Sequence, residues 1–294
     1  MNDFRRILFP IDFSPRCVGT VPFVKEMAKA CGSALCLLHV VEIPVYAYGG
    51  VPPEGPLAWE TFEENFEAGR KKLDAFRCEH FCDVEGLGQV ETACDRGDPG
   101  YAILAQAEKW GADLIMTATH GQSPFRAFLV GSAAVRVLHR APCAVWTGTH
   151  LETEAAAAHV HVRRILCALD LERESAHVIE SASTLAKVYS AEVMLVHCVP
   201  VPETGPTRDF LSDFDRYLAE GACERLNDLQ IAAGTDFEVS MAGGHVSKVV
   251  REAALRHISD LIVIGRGHTH SPLSRLRSNA YAIIRDAPCP VLSL

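Results

Sequence analysis

Arg5-Arg6-Ile7-Leu8-Phe9-Pro10-Ile11-Asp12 is answered 158 residues later by Arg163-Arg164-Ile165-Leu166-Cys167-Ala168-Leu169-Asp170. At the same offset Ala28-Lys29 returns as Ala186-Lys187 and His39 as His197. Asp113-Leu114-Ile115 returns as Asp260-Leu261-Ile262, and Ala141-Pro142-Cys143 as Ala287-Pro288-Cys289. A repeat of this length means one domain written twice. The offset shrinks by about eleven residues between the early and late matches, so the copies differ by an insertion. It falls near Pro44–Pro56, a loop rich in glycine, proline and tyrosine, whose counterpart near Pro200–Pro206 is shorter. Two readings stand for that loop: a tolerated surface insertion, or a flap over a ligand site.

Each copy alternates short apolar runs with helical stretches. Strands are expected at Ile7–Ile11, Ala34–Val41, Val84–Cys94, Asp113–Thr117 and Cys143–Thr147. The second copy repeats them at Ile165–Leu169, Glu192–Cys198, Asp236–Met241, Asp260–Ile264 and Pro290–Leu292. Strands rich in Ile, Leu and Val with helices between them imply an α/β fold, a parallel sheet covered on both faces. Ser14-Pro15 and Asp98-Pro99 are helix starts, an N-cap followed by proline at the first helical position. Their helices should stop near Gly32 and Gly111, and Pro22 should kink the first or delay its start. Leu57–His80 reads as a long helix, and Ser132 opens a short one ending before Pro142. The expected boundaries are a first domain at 1–149, a linker at 150–162 and a second domain at 163–294.

The chain has 294 residues, 48% of them apolar, so each half can bury a core. A net charge of -9 argues against nucleic acid or an anionic membrane as partner. The opening residues run into an apolar strand without a signal-peptide core, and the apolar runs are too short to span a bilayer. The eleven cysteines fit buried thiols in a reducing compartment better than a disulfide framework. The expected location is the cytoplasm.

The residues that carry chemistry sit at one end of the first copy. Ala118-Thr119-His120-Gly121 ends a strand, and Gly131-Ser132 begins a helix. Parallel α/β sheets bind ligands outside the carboxyl ends of their strands. Gly121 permits close backbone approach to an anion, and the Gly131-Ser132 pair offers unpaired N–H groups at a helix N-terminus. Asp12 follows the first strand on the same rim, where a carboxylate suits a ribose hydroxyl or a base amino group.

With Pro10-Ile11-Asp12-Phe13-Ser14, Leu37-Leu38-His39-Val40-Val41, Gly97-Asp98-Pro99, Gly121…Gly131-Ser132 and both Ala-Pro-Cys endings, the chain resembles a tandem universal stress protein of the UspA family. The resemblance implies two tandem Rossmann-like (flavodoxin-like) domains, each with a five-stranded parallel sheet. It implies ATP, usually with Mg2+ held by the phosphates. The base end would lie near Pro10, Asp12 and the Val40 backbone. The phosphates would lie on Ala118, Gly121, Gly131 and Ser132, with His120 and Ala133 beside them. ATP-binding members carry glycine where this chain has Ala118. The second copy departs further: it keeps Asp170 and Gly265, has Gly267 near the loop, and places Arg277-Ser278 or Ser278-Asn279 opposite Gly131-Ser132. Its site is expected to be the weaker. The resemblance also implies an internal pseudo-dimer in which the last strands, Cys143–Thr147 and Pro290–Leu294, pair; a homodimer is a further option.

Three functions remain open. One is a stress-response regulator that binds ATP in its first domain. Another is a slow ATPase or nucleotide hydrolase, and the last is a nucleotide-independent scaffold. No G-x4-G-K-[ST] loop, G-x-S-x-G elbow or H-E-x-x-H helix is present, and no positioned base for water is legible. Catalysis is therefore expected to be weak at most. Cys78, His80 and Cys82 put three possible zinc ligands within five residues, but no second Cys pair lies nearby in sequence to complete a structural site, and they are read as an incidental helix end. His268-His270 and His159-His161 are read as solvated rather than metal-bound, with contact to an anion a further option for His268 and His270, and His39 and His197 as hydrogen-bonded strand histidines. Cys17, at a helix start, is either a reactive thiol or packed inward.

Overall fold

The computed structural model describes residues 4–42, 56–82, 84–118, 131–148, 160–199, 208–266 and 278–294, without the side chains of 56–61, 208–219 and 278. The chain divides into two compact units, Phe4–Val160 and His161–Leu294.

In the first unit the elements are β1 (Arg6–Ile11), α1 (Pro15–Cys31), β2 (Ala34–Val41), α2 (Pro56–Phe81), β3 (Val90–Arg96), α3 (Pro99–Trp110), β4 (Leu114–Ala118), α4 (Ser132–Arg140) and β5 (Ala144–Gly148). The strands lie in the order β3-β2-β1-β4-β5, and every pairing is parallel. Parallel neighbours need right-handed crossovers, so the helices leading toward β3 and those leading toward β5 take opposite faces. The central strands are therefore buried on both sides. Ile7, Leu8 and Phe9 of β1 and Leu114, Ile115 and Met116 of β4 are sealed from solvent. This is why they read as unbroken apolar runs rather than alternating ones.

The helix signals in the sequence act as expected. Ser14 has an extended backbone, and its hydroxyl accepts from the Cys17 N–H at 3.1 Å. Asp98 does the same for Tyr101 at 3.1 Å. Each cap satisfies one of the N–H groups that a helix start leaves without a partner. Gly32 and Gly111 end α1 and α3 at φ 62 and φ 68, the left-handed conformation that closes a helix. α1 starts at Pro15 and continues through Pro22, so the proline does not delay it.

The second unit repeats the plan with β6 (Arg164–Leu169), α5 (Ser175–Tyr189), β7 (Glu192–Val199), α6 (Arg208–Ala233), β8 (Glu238–Gly243), α7 (Val246–His257), β9 (Leu261–Ile264), α8 (Ser278–Asp286) and β10 (Val291–Ser293). Its order is β8-β7-β6-β9-β10, again parallel throughout. Where the first unit uses glycine to end a helix, the second uses Ser190 at φ 54 and Ile258 at φ 52. The geometry outlives the residue type that favours it.

Two expected strands begin two or more residues late. Val84–Cys94 becomes β3 only from Val90. Gly86 sits at φ 83, and a Cβ on Gly88 would stand 2.6 Å from the Ser33 carbonyl oxygen, so this stretch is a tight turn pressed against the start of β2. β8 starts at Glu238 rather than Asp236, because Gln230 of α6 takes the Phe237 N–H with its side chain.

Candidate functional site

Strand order reverses at β1, which has β2 on one side and β4 on the other. In open α/β sheets the crevice at such a reversal, beyond the carboxyl ends of the strands, is where ligands bind. Pro10 and Ile11 make the last β1–β2 register pairs, with Leu38 and His39, so Val40 stands just past that pairing. Asp12 follows β1 directly. Ala118 ends β4 opposite Gly148 of β5. Pro10, Asp12, Val40 and Ala118 therefore all stand at the carboxyl end of the first unit's sheet.

The turn after β1 combines backbone strain with local hydrogen bonding. Phe13 adopts φ 59, unusual for a bulky side chain, while Asp12 Oδ1 accepts from the Ser14 N–H at 2.9 Å. The Phe13 ring lies 4.6 Å from the His39 ring and 5.9 Å from that of Phe76. His39 Nδ1 is 2.8 Å from the Ile11 carbonyl oxygen. A carbonyl only accepts, so that nitrogen carries the proton and the imidazole pins the end of β1 to β2. The second copy keeps the turn and its histidine: Leu171 at φ 61, Asp170 Oδ1 accepting from the Glu172 N–H at 3.0 Å, and His197 Nδ1 at 2.9 Å from the Leu169 carbonyl. These histidines are structural hydrogen-bonding residues.

Across the crevice α4 opens on Gly131, whose φ of -59 is open to any residue. Its value is the lack of a side chain: Gly131 offers no capping oxygen to the first N–H groups of α4, which carry the positive end of the helix dipole. Ser132 is exposed and Ala133 half-buried beside it. His120 and Gly121 lie outside the described residues, as do Gly267, His268, His270, His159 and residues 44–55 of the proposed flap.

One part of the rim escaped the sequence. Arg136 of α4 donates to Asp98 Oδ1, and its guanidinium stacks 4.2 Å from the centre of the Tyr101 ring. The cap of α3 is thereby tied to α4. The arginine also holds the Asp98 carboxyl below the usual carboxylate range. At the matching offsets the second copy has His245 and Ala282, which cannot make this pair. Asp98-Pro99 was legible as a helix start, but nothing in the spacing linked Arg136 to it.

The second rim differs. Asp170 is exposed and also accepts from the Ser175 hydroxyl at 3.2 Å. α5 begins at Ser175 without a side-chain cap. Gly265 follows β9, where a Cβ would meet Val178 at 3.3 Å. Ser278 begins α8.

Cys17 is packed inward, and burial pushes its thiol up to about 12, which favours the protonated thiol over the thiolate that reacts. Cys78 is exposed, and the neighbouring His80 ring packs 4.4 Å from that of Phe76. Among the described residues, no group of three or more His, Cys, Asp or Glu side chains is placed to hold a metal ion. No helix among them is long and apolar enough to cross a membrane.

Comparison with known proteins matches this architecture twice. The profile of the Universal stress protein family fits residues 3–147 and again residues 161–294. The chain belongs to the universal stress protein family. A universal stress protein A homolog of Coxiella burnetii is 32% identical over 149 residues, 49% of this chain and 96% of the relative. Universal stress protein MJ0531 of Methanocaldococcus jannaschii is 29% identical over 145 residues, 49% of this chain and 81% of the relative. Single-domain members thus correspond to one half of this tandem universal stress protein. A solved structure of a functionally unknown protein from Pseudomonas aeruginosa covers 100% of this chain, and the match spans 93% of that protein, at a TM-score of 0.67 and 17% identity. That likeness concerns the fold alone.

Proposed function

We propose that the chain is a cytoplasmic, adenine-nucleotide-binding stress regulator that takes ATP on the rim of its first domain, with the second domain as a degenerate partner. The observation that carries this reading is the asymmetry of the two helix mouths. α4 opens on a glycine with no side-chain cap. The second copy offers Arg277-Ser278 or Ser278-Asn279 at the same place, where a side chain would crowd a phosphate cradle. In this reading Asp12 holds the ribose or base, the Val40 backbone and Pro10 flank the base, and Ala118, Gly131, Ser132 and Ala133 meet the phosphates together with His120 and Gly121. Mg2+ would enter with the phosphates. The boundaries follow as 1–149 for the nucleotide-binding domain, 150–162 for the linker and 163–294 for the degenerate domain.

The halves would pack as an internal pseudo-dimer through their last strands, and nucleotide occupancy would bias that interface or the Pro44–Pro56 loop. Supporting this, each unit ends its strand order on its own last strand. Isothermal titration of ATP into the full chain and its Gly131→Arg and Ser278→Gly variants tests the assignment. Gly131→Arg should abolish binding and Ser278→Gly should leave it unchanged. Binding that survives Gly131→Arg would overturn it. ADP released linearly with time by the unaltered chain and not by Gly131→Arg would make the site a slow ATPase.

A further inference from the structure

At the opposite end of the strands the two copies differ in another way. In the first unit Trp110, the last residue of α3, lies flat beneath a cation. The Arg6 guanidinium sits 4.4 Å from the centre of the indole, and the indole N–H donates to Glu91 Oε2 at 3.2 Å. Gln106, one turn earlier, donates to the Cys36 sulfur at 3.7 Å and fills the space behind. Arg6 opens β1, and Cys36 and Glu91 are register partners on β2 and β3.

The second unit keeps the frame and removes the filling. Arg164 opens β6 as Arg6 opens β1, with one difference: its guanidinium is held from the side by Glu192, Nε to Oε2 3.6 Å, where the first unit has Ala34. Met194 pairs with Glu238 as Cys36 pairs with Glu91. On α7, at an offset of 147, Trp110 becomes His257 and Gln106 becomes Ala253, while the buried Ala107 remains alanine as Ala254. Both helices end in the same left-handed cap, so the two positions face the sheet alike. An open cleft of about 460 Å³ lies at this place, bordered by Arg164, Glu192, Glu238, Ala253, Arg256 and His257. That volume is in the range of small-molecule sites, and its border mixes cations with carboxylates.

The protein's own Trp110 thus shows what this frame accepts. We propose that the cleft of the second unit binds a small flat heteroaromatic molecule bearing a ring N–H, stacked against the Arg164 guanidinium and donating that N–H to Glu238. His257 stays in the cleft, with Nδ1 3.0 Å from the Ser259 hydroxyl. The attraction between a guanidinium and an aromatic face and the charge-assisted hydrogen bond are the two sources of affinity. The cleft lies at the amino ends of the strands, so it is separate from the nucleotide rim and does not depend on it.

Indole, 1-methylindole and adenine are the probes, titrated into the full chain by isothermal calorimetry. Indole should bind, and adenine, which the proposed first-domain rim would also take, counts for this cleft only where Glu238→Gln weakens its binding. Methylation of indole, which removes the donor, should weaken binding roughly tenfold or more. Glu238→Gln should weaken indole binding, and Ala253→Gln with His257→Trp, which restores the filling of the first unit, should abolish it. Gly131→Arg should leave indole binding as it was. Should the double variant fail to fold by circular dichroism, Glu238→Gln and the methylated probe still decide. Equal affinity for indole and 1-methylindole, binding that survives the refilled cleft, or loss of indole binding in Gly131→Arg would each overturn the proposal.

Discussion

Replacing Asp98 by asparagine and by alanine separates two jobs done by one carboxylate. Asp98 caps α3 through the Tyr101 N–H, and it accepts from Arg136 of α4. Asparagine caps a helix about as well as aspartate, so Asp98→Asn loses only the ion pair. The two side chains are 50% and 31% exposed, so that pair is worth about 0.5 kcal/mol after solvent screening. Alanine loses the cap as well, typically ~1 kcal/mol, for a total of about 1.5 kcal/mol. All three tryptophans, Trp59, Trp110 and Trp146, belong to the first half, so urea denaturation followed by tryptophan fluorescence reports that unit. The folded carboxyl is held low by Arg136. Its contribution is therefore present above the carboxylate's unfolded pKa of ~3.9 and is lost as pH falls through the folded value. The gap between the unaltered chain and Asp98→Asn should be constant near neutral pH and close below pH ~4. Equal destabilisation by Asn and Ala, or a gap that widens in acid, would refute the reasoning.

Ser14→Ala should lower the same fluorescence-detected stability by ~1 kcal/mol, because the Cys17 N–H loses its acceptor in a buried turn; an unchanged midpoint would contradict the cap. Arg136→Met should cost about 1 kcal/mol through the ion pair and the stack on Tyr101, with little further loss when combined with Asp98→Asn. A maleimide at pH 8, read by peptide mass spectrometry, should label the exposed Cys78 and Cys223 in the folded chain and reach Cys17 only on unfolding; Cys17 labelled as fast as Cys78 would contradict its burial.

Much of the fold was legible because its signals are local. Ser14-Pro15, Asp98-Pro99, Gly32 and Gly111 each mark a helix end by what one residue does to its own backbone, and all four helix ends stand where those residues put them. The repeat carried the strand assignments across to the second copy. The late start of β3 was hidden because Val84 and Leu87 look like strand residues, while the turn depends on how closely Gly88 passes the Ser33 carbonyl. Ser190 and Ile258 were opaque for the opposite reason: they hold a left-handed cap that their own chemistry disfavours, imposed by the packing of α5 and α7. Within the site, Asp12, Ala118 and Gly131 could be placed because each abuts a recognisable element end. The Asp98–Arg136 tie and the exchange of Trp110 for His257 join residues from separate elements, and spacing along a chain does not reveal such contacts.

The central claim is that one of two repeated domains is the working nucleotide site. Native mass spectrometry of the full chain, saturated with ATP, counts bound nucleotides directly. The asymmetric rims predict one ATP per chain, absent from Gly131→Arg. Two ATP molecules per chain, or one that persists in Gly131→Arg, would contradict the account.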